Sequence, residues 1–398
     1  MDSKKFRGDR LKKARQYRGR TITDLAEATG ITKQSLSLYE NGTNPDHERV
    51  VKIAQELGFP YDYFMQEDTC RAESGVTYFR SLATATKISR TAESTKLEFV
   101  AKVYELLLQY IDFPALNLPQ IDFNGSYDEF DDEAEAKMID EIESIAQAVR
   151  KQWGLGNEPI GNLQLLLEGN GIIVTGFDVD TKIDAFSQRI LLDDGQVYLI
   201  AVTQGDMPEG RIMFDMAHEL GHILMHPWSE ELDYVSKEEF KLRERQANMF
   251  ASALLLPRET FTRDVEAYPT DLAYYQFLKK KWKCSMAAMM YRAHELEIVT
   301  DNQFQYMMRQ YSKKGYRNGE PDDTPYYLNE NMFQGAIDLL FEEKIFTPKT
   351  LMAFFKRHSV TLYPKDLEEL LHLREGTLHY EEEPKVIHLR LLTNDGDE

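Results

Sequence analysis

The 398-residue sequence predicts a multidomain chain, mainly α with an α+β part. Three observations lead there. Apolar residues recur at helical spacing through most of the chain, and two β-branched runs, Gly171–Val174 and Val197–Val202, read as strands of one small sheet. A stretch His218-Glu219-Leu220-Gly221-His222 sets two imidazoles one helical turn apart. The charge is also uneven. The chain carries −20 overall, yet residues 1–64 hold twelve Lys or Arg against nine Asp or Glu, and nine of the twelve precede Ile22. A basic head on an acidic body assigns any contact with phosphates to the head. The length is enough for two or three domains, each with its own core. Cys70 and Cys284 show no metal-type spacing, and neither a signal peptide nor a long apolar run is present, which predicts a cytoplasmic protein without a membrane partner.

Residues 5–64 read as five short helices. Leu11 and Ala14 belong to the first. Thr23 is read as the cap of the second, which ends at Thr29-Gly30-Ile31, the tight turn that joins two crossed helices. Thr32 caps the third, Lys33 to Asn41, with Leu36 inward and Lys33, Gln34, Ser35, Ser37 and Tyr39 outward. Val50, Ile53, Ala54 and Leu57 supply a fourth. Ala26, Gly30, Ile31, Leu36 and the exit Tyr39-Glu40-Asn41-Gly42 resemble the helix-turn-helix of the Xre/Cro repressor family. That resemblance implies that the second helix of the pair enters a major groove, and that a homodimer reads an inverted repeat in a double-stranded DNA operator. Gln34 suits bidentate readout of adenine, and Lys33, Ser35 and Ser37 suit base edges or phosphates. Thr23, Asn41 and Thr43 are placed for the backbone. The alternative for this pattern is a helical bundle used for protein contact.

Beyond Phe64, the polar stretch Gln66–Ser74 reads as a hinge. Tyr78 to Leu108 reads as helical and mixed, with Phe99, Val103, Leu106 and Leu107 at helical spacing. Asn117 to Glu133 is an acidic, Pro-bearing loop, and Ala134 to Trp153 an amphipathic helix.

The next helix carries chemistry. Met213, Ala217, Leu220 and Leu224 share one face, with His218 and His222 opposite and Asp215 beside them. Residues four apart share a helix face, so both rings reach one Zn²⁺. Glu219 is placed to act as general base on a water at the metal's open position. A catalytic zinc needs a third protein ligand. His226 is a poor one, because His at i, i+4 and i+8 spread over about 12 Å of helix at 1.5 Å per residue. Pro227 ends the helix near His226, which therefore stands behind the ligands or at the helix end.

Downstream, Glu244, Asn248 and Ala251 fall on one helical face. His-Glu-Leu-Gly-His followed by His226, then Glu244 with Ala247-Asn248 and Phe250-Ala251, then Leu254-Leu255-Leu256-Pro257, resembles the ImmA/IrrE family of bacterial zinc metallopeptidases. Asp184-Ala185-Phe186-Ser187 resembles that family's strand before the catalytic helix, and Arg211 with Phe214 its helix entrance. The resemblance implies a zincin-like domain, Zn²⁺ as cofactor and Glu244 as the third ligand. Asn248 and Asp215, like His226, are expected to support the ligands from behind. It covers residues 5–64 and 75–321.

After Pro257, the run Lys279-Lys280-Lys281-Trp282 reads as a solvated helix end or a second nucleic-acid patch, and Met286, Met289 and Met290 as helix core. Residues 326–398 are helically patterned with an acidic tail and resemble nothing known to us. The expected division is therefore 1–66, a helix-turn-helix DNA-binding domain; 67–135, a hinge and helical connector; 136–260, the metallopeptidase domain; and 261–398, a helical C-terminal region.

Together the resemblances imply a bacterial or phage transcription regulator whose zinc peptidase cleaves one regulatory protein, a repressor of the helix-turn-helix type. Two alternatives stand beside it: a transcription factor whose zinc domain is a non-catalytic sensor or scaffold, and an antitoxin or phage-type module for protein contact. Glu219 weighs against a purely structural zinc, because structural sites use four protein ligands and need no general base.

Overall fold

The computed structural model describes residues 5–68, 73–79, 86–123, 125, 132–177, 185–193, 195–203, 205–228, 235–328 and 331–381. The architecture is mainly α with a small mixed sheet in the middle. The head contains α1 (Gly8–Tyr17), α2 (Ile22–Thr29), α3 (Lys33–Glu40), α4 (His47–Leu57) and a 3-10 turn at Tyr61–Met65. Strand β1 (Glu73–Phe79) and two 21-residue helices follow, α5 (Lys87–Leu107) and α6 (Asp132–Gln152). Next come α7 (Leu163–Gly169), β2 (Ile172–Phe177), β3 (Ala185–Leu192), β4 (Gly195–Thr203) and β5 (Gly205–Pro208). The histidine helix is α8 (Glu209–Met225) and the Glu244 helix is α9 (Lys237–Leu255). The chain continues through α10 (Arg258–Val265), α11 (Leu272–Trp282), α12 (Met286–Glu295), α13 (Asp301–Lys313) and β6 (Pro325–Tyr326). It closes on α14 (Met332–Glu342), α15 (Pro348–Arg357) and α16 (Pro364–Leu371). Among the described residues no helix is long and apolar enough to cross a membrane.

The sheet runs β1-β3-β4-β2, with β2 parallel to β4 and the other pairs antiparallel. Strands β2 and β4 are apolar on both faces because each face covers a different core. Ile173, Phe186, Ile190, Val197 and Leu199 pack in one cluster with the head, α5 and the last three helices. Their neighbours Ile172, Val174, Ala185, Tyr198, Ile200 and Val202 pack in a second, with α6 to α13. The period-two alternation of a strand thus sorts one sheet between two cores. The segment expected as a single C-terminal region divides accordingly. Phe261 to Tyr311 belongs to the α8–α9 core, whereas Phe333 to Leu378 belongs to the core of the head.

Several expectations are corrected. The stretch at Tyr78 was expected to be helical, yet Glu73–Phe79 pairs with β3 as an edge strand, with a bulge between Ser74 and Thr77. Of the expected hinge, Thr69–Ala72 lies outside the described residues, but Gln66, Glu67 and Asp68 are fastened. The Gln66 side chain donates to Lys356 O at 3.3 Å and accepts from Thr361 Oγ1 at 2.7 Å. The Glu67 carbonyl accepts from Ser359 Oγ at 2.6 Å and Arg10 Nη2 at 3.1 Å, and Asp68 takes both carboxylate contacts of the buried Lys102 ammonium at 2.5 and 2.6 Å. A polar run marks solvent or ion pairing equally well, and here it is ion pairing. Lys279 is likewise neither a solvated end nor a nucleic-acid contact. It is buried, 3.0 Å from Glu320 and paired with Asp323, while Lys281 and the Trp282 indole meet Asp264.

Candidate metal centre and nucleic-acid interface

Helix α8 is buried along most of its length, including His218, Glu219 and His222. It can lie this close to α9 because of Gly221, where an added Cβ would stand 3.0 Å from a Phe250 ring carbon and 3.3 Å from Ala247 Cα. The close approach brings Glu244 of α9 to the two imidazoles. The Nε2 atoms of His218 and His222 are 3.0 Å apart, and the Glu244 carboxylate oxygens lie 3.5 Å from the first and 3.2 Å from the second. His218, His222 and Glu244 form a group able to hold a metal ion. The two imidazole nitrogens face different oxygens of the one carboxylate, and the three groups lie close enough together to share a single ion. The donor set, two imidazoles and a carboxylate, suits zinc.

Each imidazole is turned by a partner behind it. His218 Nδ1 is 3.0 Å from Asn248 Oδ1, one helical turn beyond Glu244. His222 Nδ1 is 2.8 Å from His226 Nδ1, and His226 Nε2 is 3.1 Å from Gln246 Oε1. Gln246 in turn donates to Gly125 O at 3.0 Å. His226 caps the C-terminus of α8 and both of its ring nitrogens face protein partners. Burial, and then the charge of His222, push its pKa well below the ordinary value, so it stays neutral and accepts from His222. Such a relay fixes the tautomer that leaves Nε2 of His218 and His222 as the lone-pair donors. Burial works to raise the Glu244 carboxyl, but hydrogen bonds and charge from the two histidines, where their Nε2 atoms carry protons, outweigh it and hold the pKa at about 2; a cation bound at Nε2 would take the place of those protons.

Glu219 is buried, and its Oε2 accepts from Ser187 Oγ of β3 at 2.7 Å. Asp215 is buried 3.8 Å from the Arg211 guanidinium. Asp184 lies outside the described residues. Two cavities flank the polar face of α9. One of about 1040 Å³ reaches Glu244 and Asn248, and one of about 860 Å³ reaches Asn248, Ser252, Asp215, Phe214 and Tyr291. Sequence reasoning passed over Gln246 as a partner of His226 and Ser187 as a partner of Glu219. Gln246 stands two residues after Glu244, but nothing local marks what it bonds.

In the head, Gly30 adopts φ 70°, the left-handed conformation that ends α2 and starts the turn into α3. The cap of α2 is Thr21, not Thr23. Thr21 accepts from the Asp24 N–H while the Asp24 carboxylate accepts from the Thr21 N–H, a reciprocal box that Thr23 lacks. Thr32 caps α3 through the Ser35 N–H. Lys33, Gln34, Asn41 and Thr43 are exposed, and Thr23, Ser35 and Ser37 partly so. Tyr39 corrects the expected outward face. It is 4% exposed, because it follows Leu36 by three residues onto the core side, and its hydroxyl accepts from Arg49 at 2.8 Å. Leu38, missed in the sequence, is the exposed apolar residue of that face at 52%. A side chain of this kind suits a thymine methyl.

Part of the basic charge of the head is paired within the protein, while Lys5, Lys12, Arg20, Lys33, Arg49 and Lys52 stay exposed. Arg7 pairs with Glu67, Lys13 with Glu98 at 2.6 Å, Arg18 with Asp366 at 2.8 Å and Arg15 with Glu40 at 2.6 Å. Arg10 is buried 3.6 Å from Asp68. Arg10, Lys13 and Arg18 thus dock the head on the body.

Comparison with protein families finds two matches, an IrrE N-terminal-like domain over residues 178–294 and a helix-turn-helix over residues 11–64. No curated protein matches the chain. The first match spans α8 with its two histidines and the Glu244 helix, and the second spans the capped helix pair. The chain thus joins a helix-turn-helix domain of the Xre type to a metallopeptidase-family domain of the ImmA/IrrE type.

Proposed function

We propose that the protein is a DNA-binding transcription regulator whose zinc-dependent peptidase centre cleaves one regulatory protein, a repressor of the helix-turn-helix type. The observation that carries the reading is the convergence of His218, His222 and Glu244 within reach of one ion, with a buried carboxylate, Glu219, on the helix of the two histidines. These three residues would hold the zinc, which when bound supplies Lewis acidity toward a substrate carbonyl and toward water. Glu219 takes the proton of the attacking water and returns it to the leaving amine nitrogen, held in orientation by the Ser187 hydroxyl. Asn248 and His226 keep the imidazoles in one tautomer. The head binds an inverted repeat as a homodimer, with Gln34 and Lys33 at base edges and Thr43 and Asn41 toward the backbone.

A sensor reading draws support from β3. That strand sends Ser187 to Glu219, and Phe186 and Ile190 into the core of the head. One set of variants separates the two. Glu219→Gln is expected to keep zinc and duplex binding and to abolish cleavage of co-expressed helix-turn-helix repressors. Glu244→Ala is expected to lose most of the zinc, and His226→Ala to retain it. Unaltered gene regulation by Glu219→Gln would replace the peptidase reading with the sensor. Zinc lost from His226→Ala and kept by Glu244→Ala would overturn the ligand assignment.

A further inference from the structure

Where the head meets α5, a cavity of about 310 Å³ is lined by Arg15, Arg20, Thr21, Thr23, Lys87 and Thr91, among other residues, and by no described carboxylate. The chain carries a net charge of −20, yet this pocket presents three cations and three hydroxyls. We infer that it receives a backbone phosphate of duplex DNA, so that α5 extends the grip beyond the helix-turn-helix. The inference rests on the DNA-binding reading of the head and adds a contact from outside it.

The pocket lies where a phosphate belongs. Its floor is Thr21 to Thr23, the start of α2, and the first helix of a helix-turn-helix pair crosses the DNA backbone while the second enters the groove. The Asp24 carboxylate accepts from the Thr21 N–H at 2.8 Å, which turns it back onto the cap. Of the three cations, Arg15 is committed, held by Glu40 at 2.6 and 3.0 Å and donating to Arg20 O at 2.9 Å. Arg20 is half exposed and stands 3.9 Å from Glu56, a loose pair that a phosphate can displace. Lys87, the first residue of α5, is exposed.

The arrangement is also rigid. Thr86 caps α5 through the Ser89 N–H, and Gly19 lies against Ala92, its Cβ position 3.6 Å away. The Tyr17 and Phe99 rings pack edge to face at 5.3 Å. These contacts set the start of α5 beside the start of α2, so that a phosphate in the pocket has both Lys87 and Arg20 in its lining.

The test uses the full-length protein, a duplex recovered by the wild type from a randomised pool, and a scrambled duplex of equal length, each titrated with KCl. Lys87→Ala is expected to weaken both duplexes by the same factor and to flatten the slope of log affinity against log salt by about one, the loss of one phosphate contact. Arg20→Ala should do the same, and Lys87→Arg should keep the wild-type slope. An unchanged melting temperature for Lys87→Ala, as its exposure implies, ties the effect to the contact. An unaltered slope on a duplex that the wild type binds would overturn the α5 contact and leave the head reading intact. An effect confined to the recovered duplex would mark base readout and overturn it equally. Failure of the wild type to bind any duplex would overturn both.

Discussion

Ser187 shows how much one hydroxyl can decide. A carboxylate acting as general base must keep its oxygens aimed while its charge changes, and Ser187 Oγ at 2.7 Å is the donor that aims one of them. A hydrogen bond to a charged group contributes roughly 1.5–3 kcal/mol. Ser187→Ala is therefore expected to lower kcat by about tenfold to a hundredfold with KM nearly unchanged, read on any substrate the wild type cleaves. Zinc content should hold, since the serine touches no ligand nitrogen or oxygen of the triad. A matched fall in zinc would show that Ser187 supports the fold instead. The two histidines and Glu219 were legible in sequence because helical periodicity alone brings them together. Ser187 lies 32 residues from Glu219 and Gln246 lies 20 from His226, and no local period links such pairs. Tyr39 was misplaced for a different reason: a polar hydroxyl suggested water, while the spacing from Leu36 already placed its ring inward.

The packing of α8 on α9 depends on Gly221. Gly221→Ala would put a methyl 3.0 Å from Phe250 and 3.3 Å from Ala247 Cα, and backbone cannot step aside as a side-chain tip can. Overpacking of this kind costs about 1–3 kcal/mol. The variant is expected to melt several degrees lower and to bind zinc more weakly, because the helices separate at the point where Glu244 meets the imidazoles. Full zinc affinity with an unchanged melting temperature would refute that dependence. Helix ends were legible where a capping hydroxyl follows directly on a turn, as at Thr32, whose side chain accepts from the Ser35 N–H. The start of α2 was missed although Thr21 and Asp24 stand at the required interval of three. Strand β1 carries no clear alternation, and an edge strand gains its order from the partner it pairs with.

Across the chain, Asp68 joins the parts. Its carboxylate meets Lys102 of α5, Lys13 and Arg10, and Arg10 also reaches Ser359 beyond α15. Burial alone would raise Asp68, but these cations outweigh it and hold it below the usual carboxylate range. A carboxyl depressed in the folded state adds stability that is complete above its unfolded value, about 3.9, and is lost as pH falls through the folded value. The melting temperature should therefore fall between about pH 5 and pH 3 more steeply for the wild type than for Asp68→Asn, which starts lower at neutral pH. Parallel curves would exclude Asp68 as the acid-sensitive link. The division into a helix-turn-helix head and a body with an IrrE-like domain was legible from motifs. The sharing of the head's core with residues 333–378 was not, because a docking surface between helices has no signature in either partner alone.

The bond from Arg10 to the Ser359 carbonyl spans 349 positions, which sets an order of events during synthesis. At about 5–20 residues per second, the head emerges from the ribosome well before the segment that completes its packing. Until that segment arrives, Arg10 and the apolar rim of α5 wait in contact with solvent. A polypeptide released early, by a stop codon or a stalled ribosome, would carry an intact reading helix on an unfinished support.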